Sequence, residues 1–321
     1  WGDAHTSHYS REWLKHLRYR PQDEGEREDV MKKDIKLWGQ EMYEEGNLPT
    51  FQFEKLLKDE QELYKWLVTV ATQTGLARIQ NAPKEPGQVI KLGERIGYLV
   101  HTIYGLTSEI KAFSDHGEHE TGYSYSKLPM HSDFSYSQMV PFFGMYHCVQ
   151  QAQGEGGANL WVDAFHAANL LYKEDPESFQ ILATTPLAFR NLTETPAGKM
   201  YHQSHHNTIS VDHENKVSRM CYSDEFRDVQ MPLEPKRMKS FYKAYFRLSK
   251  LLADKRTSFW YKMNSGDIMS LNNHRVLHGR SSYEDRGGNV RVLDTAFVDW
   301  DCVHSKIRIL AEKQGLESPV D

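Results

Sequence analysis

Met130-His131-Ser132-Asp133-Phe134 is the stretch on which the reading of the chain turns. Side chains two residues apart on a strand share a face, so His131 and Asp133 reach toward one ion. A lone His-x-Asp also arises by chance in a chain with 16 His and 44 acidic residues. The second stretch, Leu277-His278-Gly279-Arg280, changes the odds. His278 from that distant strand completes a face of two imidazoles and one carboxylate with three positions left open, which suits non-heme Fe(II). Thirteen residues further on, Arg291 lies within Val290-Arg291-Val292-Leu293, which reads as another strand. A buried guanidinium there can pair bidentately with the distal carboxylate of 2-oxoglutarate.

Bulk properties narrow the class. Net charge is 39 − 44 = −5 with the histidines neutral, which argues against nucleic acid or an anionic membrane as the main partner. No apolar run approaches the ~20 residues that span a bilayer, and no signal-like segment opens the chain. Cys148, Cys221 and Cys302 form no C-x-x-C pattern and read as reduced, mostly buried thiols of a cytoplasmic protein. A chain of 321 residues can bury one large core. Repeats, low-complexity tracts and clear linkers are absent. The division is an N-terminal extension or arm over residues 1–50, charged and solvated, and one domain over residues 51–321.

Along that domain, Phe53, Leu56, Leu57, Leu63, Trp66, Leu67 and Val70 recur at helical spacing and predict two consecutive helices. Gly75 to Ile79 reads as a strand and Val89 to Val100 as a helix, with Tyr98 and Leu99 in the core. The acidic run Ser114 to Thr121 reads as a lid; His116, Glu118 and His119 within it offer a weaker metal-binding alternative. Strands are expected over Phe143–Val149 and Asn159–Asp163, separated by the tight turn Gly154-Glu155-Gly156-Gly157. A helix follows from Ala164 to Tyr172, and another opens with Asp175 as its cap and Pro176 in its first turn. His202, His205 and His206 read as loop residues at a sheet rim, Val211 to Asn215 as a hairpin turn, and Glu234 to Leu252 as one long helix.

His131-Ser132-Asp133, His147-Cys148, Gly156-Gly157, Val162-Asp163, Asn273, Arg275 to Arg280, Ser282-Tyr283-Glu284 and Asp299-Trp300-Asp301 resemble the gamma-butyrobetaine dioxygenase family. This is the carnitine-forming branch of the TauD-like Fe(II)/2-oxoglutarate oxygenases, and the similarity runs over nearly the whole chain. Trimethyllysine dioxygenases are close cousins. The resemblance implies a mainly β, α+β fold: a double-stranded β-helix, or jelly roll, flanked by helices. Family members often carry a small N-terminal zinc-binding domain, whose cysteine set this sequence does not contain. A homodimer is expected by analogy.

The same resemblance implies the site. His131, Asp133 and His278 are the expected catalytic iron ligands, with Arg291 and Asn159 on the far carboxylate of 2-oxoglutarate. Fe(II), 2-oxoglutarate and dioxygen are the expected cofactor and co-substrates, with ascorbate stimulatory. The implied reaction hydroxylates an unactivated C–H of a small cationic, quaternary ammonium substrate. Relatives hold such a head among aromatic rings, because a quaternary cation is attracted to ring faces and cannot hydrogen-bond. Tyr104, Tyr123 and Phe297 take three of those positions, and Ser108 stands where a tryptophan is usual. Both tyrosines also suit plain core roles. Glu120 stands where the butyrobetaine enzymes have an amide and the trimethyllysine enzymes an acid, and Ser223 or Asp224 replaces a second amide; an extra acid there favours an amine over a bare carboxylate. Alternative readings are trimethyllysine, or hydroxylation, desaturation or cyclisation of another amino acid or amine on the same scaffold. A non-catalytic sensor is the remaining class, which iron-dependent succinate release would exclude.

Overall fold

The structure, a computed structural model, describes residues 6–11, 14, 30–32, 34–111, 121–195, 198–229, 231, 233–284 and 290–320. Its strands in chain order are β1 (Thr50–Gln52), β2 (Leu76–Gln80), β3 (Ser108–Lys111), β4 (Leu128–His131), β5 (Phe143–Gln150), β6 (Asn159–Asp163) and β7 (Pro186–Thr195). They continue with β8 (Gly198–Asn207), β9 (Ile209–Val211), β10 (Val217–Met220), β11 (Ser258–Tyr261), β12 (Ile268–Asn272), β13 (Val276–Arg280) and β14 (Val292–Val298). One sheet runs β1-β2-β12-β5-β14-β3 and the other β11-β6-β13-β4, with two-stranded ribbons β7-β8 and β9-β10 beside them. Apart from the parallel β1-β2 pair, every ladder is antiparallel. These two main sheets form the jelly-roll core.

Strand alternation builds the layers. On β5, Phe143 and Met145 join the helices outside the larger sheet, whereas Tyr146 and Cys148 join the core shared by the two sheets. On β6, Trp161 belongs to that shared core while Leu160 and Val162 face the helices behind the smaller sheet. The helices Phe53–Lys58, Glu60–Val68, Gln88–Ile96 and Trp300–Lys313 cover the larger sheet, burying Leu56, Trp66, Leu92 and Ile307. The helices Ala164–Glu174, Pro176–Thr184 and Pro235–Leu252 form a second layer behind the smaller one. Asp175 caps the helix at Pro176 by accepting from the Ser178 N–H at 3.1 Å, as its sequence predicts.

Three expectations are revised, and a fourth falls outside the described residues. The described residues from 30 to 48 are not a solvated arm: Val30, Met31, Trp38, Met42 and Leu48 are buried against the domain. The helix after Gln88 ends at Ile96, which leaves Tyr98 at 86 % exposure and Leu99 partly buried on the core. His202, His205 and His206 sit on β8 and not in a loop, because β8 pairs with β7 along its whole length. Of the run Ser114 to Thr121 read as a lid, residues 114–120, Glu120 included, lie outside the described residues. No described helix is long and apolar enough to cross a membrane.

Candidate active site

β4 and β13 bring the two imidazoles together: His131 and His278 are directly paired across the ladder. The approach depends on Gly279, where an added Cβ would lie 2.8 Å from the Leu128 carbonyl oxygen. Asp133 is not on the strand with His131. β4 ends at His131, and the chain turns so that the carboxylate comes back over the histidines. Asn273 holds this turn from both sides. Its Oδ1 accepts from the Asp133 N–H at 2.9 Å, and its Nδ2 donates to the Asp133 carbonyl at 3.1 Å.

His131 Nε2 and His278 Nε2 lie 3.3 and 3.7 Å from the same oxygen, Asp133 Oδ1. The candidate ligand atoms of the three residues lie within 4.8 Å of one another, the sole such group among the described residues. His131 Nδ1 donates to the Pro129 carbonyl at 2.8 Å, which turns Nε2 toward the carboxylate. Trp161 stacks on the His278 ring. Tyr146, reaching across from β5, donates to Asp133 Oδ2. One carboxylate oxygen therefore faces both imidazoles while the other is occupied by a phenol.

Electrostatics follow from burial. Burial pushes the His278 imidazole down to about 4, which leaves it neutral and able to ligate. Burial acts to raise the Asp133 carboxyl, but His278, His131 and the Tyr146 hydroxyl outweigh it and hold it far below the usual carboxylate range. His131 feels the same burial in the downward sense, and Asp133 shifts it upward on balance. Two nitrogens and one hard oxygen on one face form a donor set that fits Fe(II).

The same cavity contains two guanidiniums, each 2 % exposed. Arg291 donates to Asn159 Oδ1 at 3.1 Å, its Nε has no partner, and no carboxylate pairs with it among the described residues. Burial lowers its basicity. An unpaired buried cation in a cavity is a site for an anion. Arg280 is held otherwise. Its nitrogens donate to the carbonyls of Gly122, Ser124 and Ser126 at 3.3, 2.6 and 2.7 Å, and it lies 4.8 Å over the Tyr283 ring. Burial pushes it down to about 10. Its task is to anchor the segment that carries Tyr123.

Of the residues expected in the substrate pocket, Tyr104, Ser108, Tyr123 and Phe297 line this cavity. Ser108 Oγ is 3.2 Å from the Tyr123 hydroxyl. Asp224 is not among the lining residues. It accepts from Tyr222 and Tyr245 and pairs with Arg227, and the adjacent Glu225 lines the cavity instead. Tyr146, Phe134 and Arg280 were not singled out from sequence. Alternation predicts that Tyr146 and Cys148 share a face, but which face of β5 is interior is set by the second sheet.

The model of the taurine catabolism dioxygenase TauD, TfdA family matches residues 32–295. The chain belongs to this family. It is 33 % identical over 314 residues to the gamma-butyrobetaine dioxygenase of Homo sapiens, covering 98 % of this chain and 79 % of the relative. It is 28 % identical over 284 residues to the mitochondrial trimethyllysine dioxygenase of Bos taurus, covering 88 % of this chain and 65 % of that one. Among solved structures, the non-heme iron oxygenase OrfP in complex with Fe and alpha-ketoglutaric acid aligns with a TM-score of 0.56 at 14 % identity. That alignment covers 77 % of this chain and 84 % of OrfP, and supports the jelly-roll assignment.

Proposed function

We propose that this TauD-family chain is an Fe(II)- and 2-oxoglutarate-dependent dioxygenase that hydroxylates an unactivated C–H of a small quaternary ammonium substrate resembling gamma-butyrobetaine. The observation that carries the reading is one cavity containing both an iron-type donor set and a buried guanidinium that no carboxylate of the described residues pairs with. His131, Asp133 and His278 would hold the metal, and Arg291 with Asn159 would bind the far carboxylate of 2-oxoglutarate. Iron, 2-oxoglutarate and dioxygen together supply the oxidising power, with 2-oxoglutarate leaving as succinate and carbon dioxide. The remaining work belongs to the chain. Tyr146 and Asn273 orient the Asp133 carboxylate, and Tyr104, Tyr123 and Phe297 offer ring faces to a cation and keep water from the reacting carbon. Residues 51–321 would form the catalytic unit, with residues 30–50 laid against it.

Glu225 on the cavity wall favours a second reading at the substrate's other end, an amine or amino acid in place of a bare carboxylate. The test is anaerobically loaded Fe(II) enzyme with 2-oxoglutarate, exposed to air beside gamma-butyrobetaine, trimethyllysine, other quaternary ammonium acids and free amino acids. Succinate and product mass are recorded together. One added oxygen on a quaternary ammonium compound, coupled to succinate, is the expected result. Succinate stimulated only by compounds without such a group would overturn the substrate class, and no iron-dependent succinate at all would overturn the enzyme reading.

A further inference from the structure

Phe134 follows Asp133 directly and adopts φ +55°, a left-handed conformation that a bulky aromatic residue rarely takes. The other described non-glycine residues with positive φ, Asn81 and Asn215, are of the type that tolerates it. Backbone held in so unfavourable a region persists where the surroundings over-determine it, and such places concentrate at ligand sites. The Asn273 clamp on Asp133 supplies that constraint on one side, and the Ser137 N–H, donating to the Phe134 carbonyl at 2.8 Å, supplies it on the other.

The conformation delivers the ring into the cavity that contains the metal donors. There the rings form an unbroken row. Tyr123 lies 6.4 Å from Tyr104, Tyr104 lies 6.2 Å from Phe134, and Phe134 lies 5.1 Å from Phe297 in an edge-on contact. Without Phe134 the tyrosine pair is cut off from Phe297, whose remaining ring neighbour in the cavity is Tyr146 at 6.1 Å. Ser108, on the β3 side of the same cavity, offers only a hydroxyl turned toward Tyr123. A trimethylammonium group has no N–H to donate and presents its charge in every direction, so it needs ring faces on several sides.

Resting on the substrate class proposed above, we infer that Phe134 is a cation-binding wall. It is a specificity-determining residue that joins Tyr104 to Phe297, and its left-handed backbone is retained for that purpose. Because it is the neighbour of Asp133, the cation it binds is fixed in distance from the metal.

The test measures binding by calorimetry on the anaerobic Fe(II) and 2-oxoglutarate complex. Gamma-butyrobetaine and trimethyllysine are each compared with the uncharged isostere in which a tert-butyl carbon replaces the trimethylated nitrogen. Phe134→Leu keeps the apolar bulk and removes the ring face. It is expected to weaken the cation by about 3- to 30-fold and to change the isostere much less. Stepwise fluorination of the Phe134 ring keeps the shape and drains the ring face, so affinity for the cation alone should fall with each fluorine. Equal losses for cation and isostere, or indifference to fluorination, would overturn the assignment and leave Phe134 as packing. A wild-type enzyme that does not prefer either cation to its isostere would overturn the substrate class along with it, a result distinct from the first.

Discussion

Arg291 is buried, cationic and without an acidic partner among the described residues, so its contribution should appear when an anion arrives. Arg291→Ala is expected to raise the 2-oxoglutarate KM roughly a hundredfold, about 3 kcal/mol for a charge-assisted contact, with kcat changed far less. An unaltered 2-oxoglutarate dependence in steady-state assays would show that the anchor lies elsewhere. Tyr146 acts on the other side of the centre. Removing its hydroxyl as Tyr146→Phe leaves Asp133 Oδ2 without its donor and should weaken Fe(II) binding about tenfold or more, as losses next to a metal ligand usually do. A competitive titration of the metal-free protein reads this directly. The donors themselves were legible in sequence because they lie in two short motifs, His131 to Asp133 and His278. Tyr146 was not, since a tyrosine within an apolar strand looks the same whether it faces helices or a metal.

At the scale of elements, the ends of β6 and β13 are locked by one buried charge pair. Arg275 donates to Asp163 at 2.9 and 2.7 Å, and also to the carbonyls of Gln73 and Lys36. Asp163 in turn caps the helix Ala164–Glu174 and accepts from the Trp38 N–H at 3.1 Å. Trp38, the first turn of that helix and Arg275 thus share one carboxylate. Asp163→Ala would strand the guanidinium and is expected to destabilise by about 3–5 kcal/mol, whereas Asp163→Leu combined with Arg275→Met should recover much of that loss. Denaturant midpoints of the single and double variants decide it; equal midpoints would remove the network from the account. Spacing foretold the capped helices and the long amphipathic one because their signals are local. Periodicity over 89–100 extended the helix past Ile96, where Gly97 at φ 174° ends it in extended backbone. The histidines of β8 were misplaced because a polar ribbon lacks the apolar alternation that marks a strand.

At the scale of the molecule, four imidazoles among the described residues that burial shifts down, His147, His206, His274 and His278, dominate the response to acid. Burial holds His147, His274 and His278 each at about 4, while the unfolded chain protonates such groups near ~6.5. Their stabilising contribution is full above that value and is lost as pH falls toward 4, because the unfolded state then binds the protons. His131, shifted upward, has the opposite sign: its contribution is present at low pH and lost as pH rises through its raised value. Four groups outweigh one, so the denaturant midpoint of the metal-free protein should drop between about pH 7 and about pH 5. An unchanged or higher midpoint at the acid end would contradict this balance. Adding Fe(II) at neutral pH should raise the midpoint, since the metal binds the folded site and the unfolded chain lacks it.

Residue order determined the chemistry available: the two histidines, the aspartate, the arginine thirteen positions on and the resemblance that ties them to an oxygenase. These are matters of residue type and spacing, which survive in one dimension. Tertiary structure decided which oxygen of Asp133 faces the imidazoles, which acid of Asp224 and Glu225 lines the cavity, and which rings meet beside Ser108. Each depends on a turn, a strand face or a partner from another sheet. Those are fixed by packing between separate elements, some as distant in sequence as Asp133 and Asn273, and no local pattern records them.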